Sequence, residues 1–162
     1  MIGMEMTDTS NLELPPWRRA VRMMLESQVG DGHILTHTWL FDAFGLDKPG
    51  PMTPNEIARE AQWAFLQAFK PFQEHLLFEH RIALARVRGT GWRIVPPPEQ
   101  VQWAEREGDH EIRKAIARRG LRINYIRMDE FTTSERQQQT DALARLGRLR
   151  QAFANSSNRA LF

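Results

Sequence analysis

Apolar residues recur every three to four positions in three stretches of the first eighty residues, which predicts three helices. The first helix opens at Pro15-Pro16 and ends before Gly30, and the second follows Thr36 and ends at Gly45. The third helix covers residues 54–80. We expect its longest apolar stripe to face the core; the stripe consists of Ile57, Ala61, Ala64, Phe65, Ala68 and Phe72. We also expect three tryptophans in the core: Trp17, Trp39 and Trp63.

Two threonines mark the starts of the second and third helices. Thr36 is a suitable N-cap, because its side-chain oxygen can accept from a free amide of the first turn. Thr53, followed by Pro54 and then by Glu56, predicts a capping box. Pro71 lies inside the third helix and is expected to kink or split it, because proline lacks an amide donor and clashes with the preceding turn.

The apolar period changes to two between residues 82 and 95, which predicts a β-hairpin. Its turn is Gly89-Thr90-Gly91, where the glycines tolerate positive φ, and Trp92 is expected to pack at its root. The segment His33-Ile34-Leu35 is too short to be predicted as more than a bridge.

Two further helices are predicted after Pro96-Pro97-Pro98, at residues 99–119 and 133–154, with an extended arm at 121–128 between them. The last helix is capped within Thr132-Thr133-Ser134 and has a narrow apolar seam formed by Ala142, Leu146, Leu149 and Phe153. The predicted class is therefore mainly α with a small β-hairpin. The predicted parts are a disordered tail (1–14), a three-helix and hairpin domain (15–96) and a helical extension (97–162).

The composition argues against several classes of function. The chain has no cysteine, which excludes disulfides, thiolate metal sites and thiol catalysis and fits a cytoplasmic protein. No apolar run approaches the roughly 20 residues that span a bilayer, and the acidic start is no secretory signal. His75 and His80 are five residues apart, whereas the zinc-binding histidines of the HExxH motif are four apart, so this pair does not predict a zinc site. With no nucleophile elbow or carboxylate pair, we expect no enzyme, metal or cofactor.

Arginine is concentrated in local patches, although the net charge is only +2. Of the 22 basic residues 19 are arginine, whose planar fork suits phosphate and guanine edges. Residues 81–95 carry four arginines and no acid, and residues 112–128 carry six basic residues and no acid. Such patches are typical of a surface that meets a polyanion, and equally of a solvated protein face.

Two segments resemble a known family. "GHILTHTWLFDAFG" resembles the entry to the second helix, and "ALARVRGTGWRIV" the wing, of the winged helix-turn-helix DNA-binding domain of response-regulator effectors. The resemblance covers residues 17–95 and implies that the third helix enters the major groove while the wing contacts the backbone. The chain departs from the family in having no room before Trp17 for a receiver domain and in continuing past residue 95. These departures resemble a protein encoded by a phage or mobile element.

Long polar side chains opposite the core stripe of the third helix, and polar side chains of the wing, are the candidate DNA contacts. Glutamine and arginine can read adenine and guanine edges, and lysine meets phosphate. The predicted DNA-binding residues are Arg59, Gln62, Gln67, Lys70, Arg86, Arg88, Thr90 and Arg93.

The predicted function is duplex DNA binding by a transcriptional regulator, with a possible homodimer through helix 133–154. The seam of that helix packs either on a second copy or back on the same chain. Two other functions stay open. The chain is alternatively a protein-interaction module, such as a phage-encoded inhibitor of a host machine. A further alternative is an accessory protein of replication or recombination, in which bases of single-stranded DNA stack on Tyr125 within the basic stretch 118–127.

Overall fold

The computed structural model describes residues 14–159, which are mainly helical and include a small antiparallel sheet. The predicted tail lies outside the described residues except for Leu14. The helices are α1 Pro16–Glu26, α2 His37–Phe44, α3 Asn55–His80, α4 Gln100–Asn124 and α5 Thr133–Arg159. The strands are β1 Ile34–Thr36, β2 Leu84–Val87 and β3 Gly91–Ile94, and a 3-10 turn covers Pro97–Glu99. The chain divides into two units, one ending at Trp103 and the other beginning at Ala104.

The sheet has three strands in the order β1-β3-β2, one strand more than the predicted two-stranded hairpin. The segment expected to be only a bridge pairs as β1 with β3, with Leu35 opposite Trp92. Glycine at position 91 permits this approach, because a Cβ there would overlap the carbonyl oxygen of Leu35. The hairpin β2–β3 itself is confirmed.

Aromatic rings form the centre of the first unit. The ring of Phe65 on α3 lies 4.7 Å from that of Phe41 and 5.6 Å from that of Phe44, both on α2. Phe69 and Leu76 of α3 are also buried, although they were not predicted to belong to the stripe. Two expected core residues are instead exposed: Ile57 at 55% and Trp63 at 65%. Trp63 is two residues from Phe65, a rotation of about 200° around the helix, so both cannot face one core.

The ends of the short helix are as predicted, whereas the start of the long one is not. The Thr36 hydroxyl accepts from the backbone N–H of Trp39 at 3.2 Å, and Gly45 ends α2 in the left-handed region at φ 69°. The capping box at Thr53 is wrong: its hydroxyl accepts from the N–H of Gly50, and Pro54 is the N-cap without a side-chain bond. Pro71 does not split α3, which is one helix from Asn55 to His80.

In the second unit, α4 and α5 are antiparallel neighbours. The Gln139 side chain donates to the carbonyl of Ile123 at 3.2 Å, and a Cβ on Gly120 would lie 3.2 Å from the Leu146 side chain. The predicted extended arm is therefore wrong for residues 121–124, which continue α4 and pack beside α5. The predicted cap of α5 within Thr132-Thr133-Ser134 is confirmed, and it takes the form of a capping box between Thr132 and Glu135.

Candidate nucleic-acid interface

The α3 outer face comprises the exposed side chains of α3 between residues 59 and 70. Four predicted DNA-binding residues lie on it, and all four are exposed: Arg59, Gln62, Gln67 and Lys70. At about 100° per residue, Arg59, Gln67 and Lys70 fall on the side opposite the buried Phe65. Gln62 falls nearer to the flank on which Phe69 lies. The helix thus separates its core-facing rings from a face available to a ligand.

Two apolar side chains that were not predicted to be exposed lie in the middle of this face. Trp63 is 65% exposed and Leu66 is 49% exposed. They stand three residues apart, so they are neighbours on the helix surface. Counted from Phe65 at the helical period, Trp63 and Leu66 both fall outside the side of α3 that faces the core. Their exposure could therefore have been predicted from the helical spacing alone.

The hairpin turn is exposed at its tip and fixed at its base. Residues 88–90 are exposed, Gly89 has φ 78°, and the Thr90 N–H donates to the Val87 carbonyl at 3.1 Å. The Thr90 carbonyl in turn accepts from the N–H of His37, the first residue of α2, at 3.3 Å. The side chains of Arg88 and Thr90 therefore reach solvent from a turn whose backbone is held by α2.

The register of the hairpin assigns its arginines to opposite faces. Arg86 is opposite Trp92, and Ala85 is opposite Arg93. Directly opposed residues of an antiparallel pair share a face, and successive residues alternate. The Trp92 ring lies 4.2 Å from that of Phe69 on α3. Arg86, which is exposed, therefore emerges from the sheet face that packs on α3, whereas Arg93 belongs to the other face.

Arg93 already has a carboxylate partner. Its guanidinium lies 2.5 Å from the carboxylate of Glu99, the last residue of the 3-10 turn, and this hydrogen bond raises the pKa of Arg93. The hairpin arginines thus differ: Arg86 and Arg88 are exposed, while the charge of Arg93 is largely neutralised before any ligand arrives. Arg93 as a DNA contact stays a prediction, and its pairing with Glu99 opposes it.

Acidic side chains bound the α3 outer face. Glu56 and Glu74 are exposed one turn beyond its two ends, and Glu60 lies on its edge. Between Arg59 and Lys70 the helix rises about 17 Å. A polyanion would be attracted to Arg59 and Lys70 and repelled at Glu56 and Glu74 beyond the ends and at Glu60 on the edge, which defines the footprint that the face can offer.

The basic run at 112–128 is used partly within the second unit. The Arg113 guanidinium lies 5.6 Å from the centre of the Phe153 ring, a cation–π distance. Tyr125 is 85% exposed, and Arg118, Arg122 and Arg127 are exposed near it. This arrangement leaves a basic surface with one exposed aromatic ring.

The predicted dimer seam of α5 is also engaged within the chain. Leu146 is 3% exposed and faces Gly120 of α4, and Phe153 is half-buried beside Arg113. Leu143 and Leu149, on either side of Leu146, remain exposed. Packing on the same chain therefore accounts for the centre of the seam, and only its flanks are open to a second copy.

Over residues 14–159, no group of three or more histidine, aspartate or glutamate side chains is placed to hold a metal ion. In the same range, no helix is long and apolar enough to cross a membrane. Comparison with protein-family models, with curated proteins and with solved structures finds no match to this chain.

Proposed function

We propose that this chain is a DNA-binding protein, most simply a non-enzymatic transcriptional regulator, built on a winged helix-turn-helix core. The order α1-β1-α2-α3-β2-β3 and the antiparallel sheet order β1-β3-β2 support this architecture. In such a layout the helix before the hairpin lies in the major groove and the hairpin contacts the neighbouring backbone.

One observation carries the proposal: Arg86 shares a sheet face with Trp92, which packs on Phe69 of α3. Arg86 is thereby held on the side of the sheet that faces α3, the helix that presents the polar outer face. A rigid pairing of helix and hairpin lets one molecule contact base edges and phosphates in a fixed register.

Each side chain then has a role set by its chemistry. Gln62 and Gln67 can pair with adenine edges, and Arg59 with guanine. Lys70, Arg86 and Arg88 neutralise phosphates, and Thr90 donates to a phosphate oxygen from the turn. A homodimer that uses the exposed flanks of α5 would read two half-sites and so multiply specificity.

A selection of random duplex DNA on the purified full chain, followed by salt titration on the selected site, tests the proposal. Replacing Arg86 and Arg88 with glutamine should weaken binding to all sequences and flatten its salt dependence. Replacing Gln62 or Gln67 with alanine should change the preferred bases instead. Failure to enrich any duplex at low salt, or unchanged binding in both sets of variants, would overturn the proposal.

A second candidate is a protein-interaction module, which the exposed Trp63 and Leu66 favour. Tryptophan is enriched at the energetic centres of protein interfaces. Under this candidate, the chain would capture one stoichiometric protein through Trp63 and would show no mobility shift of duplex DNA at low salt. A duplex shift that depends on Arg86 and Arg88 would decide against it.

A further inference from the structure

The α3 outer face has an apolar centre between two cationic ends. Trp63 and Leu66 are exposed at 65% and 49% and are adjacent on the helix surface. Arg59 stands one turn before Trp63, and Lys70 one turn after Leu66. Isolated exposed apolar residues are common, but here an indole and a leucine lie together on the face where a DNA-binding protein needs base contacts.

This pattern matches one apolar group in duplex DNA. The major groove presents donors and acceptors from every base pair, and the thymine C5-methyl is its apolar feature. The backbone on either side of the groove is anionic and suits Arg59 and Lys70. Glu56 and Glu74 lie beyond the two ends, and the exposed Glu60 lies on the side of Trp63 away from Leu66. The contact is therefore restricted to the side of the face that carries Arg59, Leu66 and Lys70.

Resting on the DNA-binding function above, we propose that Trp63 and Leu66 contact thymine methyl groups in the major groove and make binding selective for T·A pairs. Gln67, one turn after Trp63, and Gln62, one turn before Leu66 on the flank of the face, pair with the adenine edges that accompany those thymines. The preferred site is therefore rich in T·A pairs under α3. Trp63 is a specificity-determining residue, not only an accessory contact.

The test compares thymine with deoxyuridine, which differs only by the C5-methyl. The site selected from random duplexes is synthesised with deoxyuridine at each thymine in turn, and affinity is measured for the full chain. Wild type should lose about fourfold at each contacted position, the factor that corresponds to about 0.8 kcal/mol for one buried CH2-sized group. Trp63→Gln should bind the two duplexes nearly equally, and Trp63→Phe should keep most of the difference.

A matched control is available on the same helix. Phe78 is an aromatic residue of α3 that is 74% exposed and lies beyond Glu74. Phe78→Gln should leave both the affinity and the thymine preference unchanged. Circular dichroism of each variant checks folding, and Leu66→Gln gives a second variant that should reduce the methyl effect should Trp63→Gln fold poorly.

The outcomes separate this inference from the function beneath it. Duplex binding with no loss on deoxyuridine, or a selected site without T·A pairs, overturns the inference and leaves DNA binding standing. No enrichment of any duplex at low salt overturns both. A methyl effect that persists in Trp63→Gln and Leu66→Gln also overturns it, because other side chains then make the contact. Capture of a protein partner through Trp63 without duplex binding assigns the face to the second candidate instead.

Discussion

The ring of Trp92 on β3 lies 4.2 Å, centre to centre, from the ring of Phe69 on α3, with 38° between the ring planes. Trp92 also lies 5.8 Å from Phe65 and 5.0 Å from the ring of His37. One indole thus joins the sheet to α3 and to the start of α2. Because ring pairs at such separations add to the energy of apolar burial, this contact sets the position of the hairpin relative to α3.

Removing the contact between Trp92 and Phe69 should reduce stability and, under the proposed function, DNA binding. Phe69→Ala deletes a ring that is 7% exposed, and we expect a loss of about 3 kcal/mol in the free energy of unfolding. Urea unfolding followed by tryptophan fluorescence measures it, because all five tryptophans lie at or before Trp103 in the first unit.

Phe78→Ala is the control for this variant, since its exposed ring should change stability by less than about 0.5 kcal/mol. Equal effects of the two substitutions would mean that the Phe69 ring does not anchor the sheet.

Under the proposed function, the salt dependence of DNA binding should distinguish the arginines of the hairpin. Arg88→Gln removes an exposed charge, and the slope of log affinity against log salt should fall by about 0.9. Arg93→Gln should change the slope far less, because Glu99 already neutralises that guanidinium in the free protein. Fluorescence anisotropy on the selected duplex at several salt concentrations measures both slopes. Equal reductions would show that the Arg93–Glu99 pair opens when DNA binds.

The starts of α3 and α5 have similar sequences but different caps, which shows how far a local pattern predicts the start of a helix. Thr53 and Thr132 are each followed three residues later by a glutamate, although the capping box was predicted only at Thr53. Only Thr132 forms one. The hydroxyl of Thr53 is taken by the N–H of Gly50 in the preceding loop, and α3 then begins one residue later at Asn55. The local sequence shows which residues can cap a helix, but contacts with the neighbouring loop decide whether the capping hydrogen bonds form.

In the candidate site, too, some features follow from the local sequence pattern and others depend on contacts between segments. Helical spacing sufficed to place Arg59, Gln67 and Lys70 on an exposed face, because residue period alone decides which side of α3 they occupy. The faces of Arg86 and Arg93 depend on strand register, which a sequence with a glycine-rich turn does not fix. The pairing of Arg93 with Glu99 depends on the turn after β3, a contact between segments that no periodicity encodes.

Two glycines in the second unit should respond oppositely to alanine. Gly147 of α5 has no atom within 4 Å of an added Cβ, so Gly147→Ala should stabilise the unit by about 0.5–1 kcal/mol through helix propensity. A Cβ on Gly120 of α4 would lie 3.2 Å from the Leu146 side chain and 2.7 Å from that of Arg150. Gly120→Ala should therefore gain nothing or destabilise.

Thermal unfolding followed by far-ultraviolet circular dichroism measures both glycine variants, and the tryptophan signal of the first unit is the internal control. Equal stabilisation by the two substitutions would show that α4 and α5 do not approach at Gly120.

The capping box of α5 predicts a specific dependence on pH. The Glu135 carboxylate accepts from the Thr132 N–H at 2.7 Å and from its hydroxyl at 2.8 Å. These bonds favour the charged form and lower the pKa of Glu135 below its ordinary value of 4.5. Since the folded state then binds the proton more weakly than the unfolded state, the stabilisation is complete above pH 4.5 and is lost as the pH falls through the lowered pKa.

Glu135→Gln should isolate this carboxylate from the others that titrate in acid. The variant should be less stable than wild type at pH 7, and the difference should close progressively below pH 4.5. Urea unfolding followed by circular dichroism at fixed pH values between 7 and 3 measures the difference, with Glu130→Gln as a control at an exposed glutamate outside α5. A difference that stays constant down to pH 3 would show that the charge of Glu135 is not what holds the start of α5.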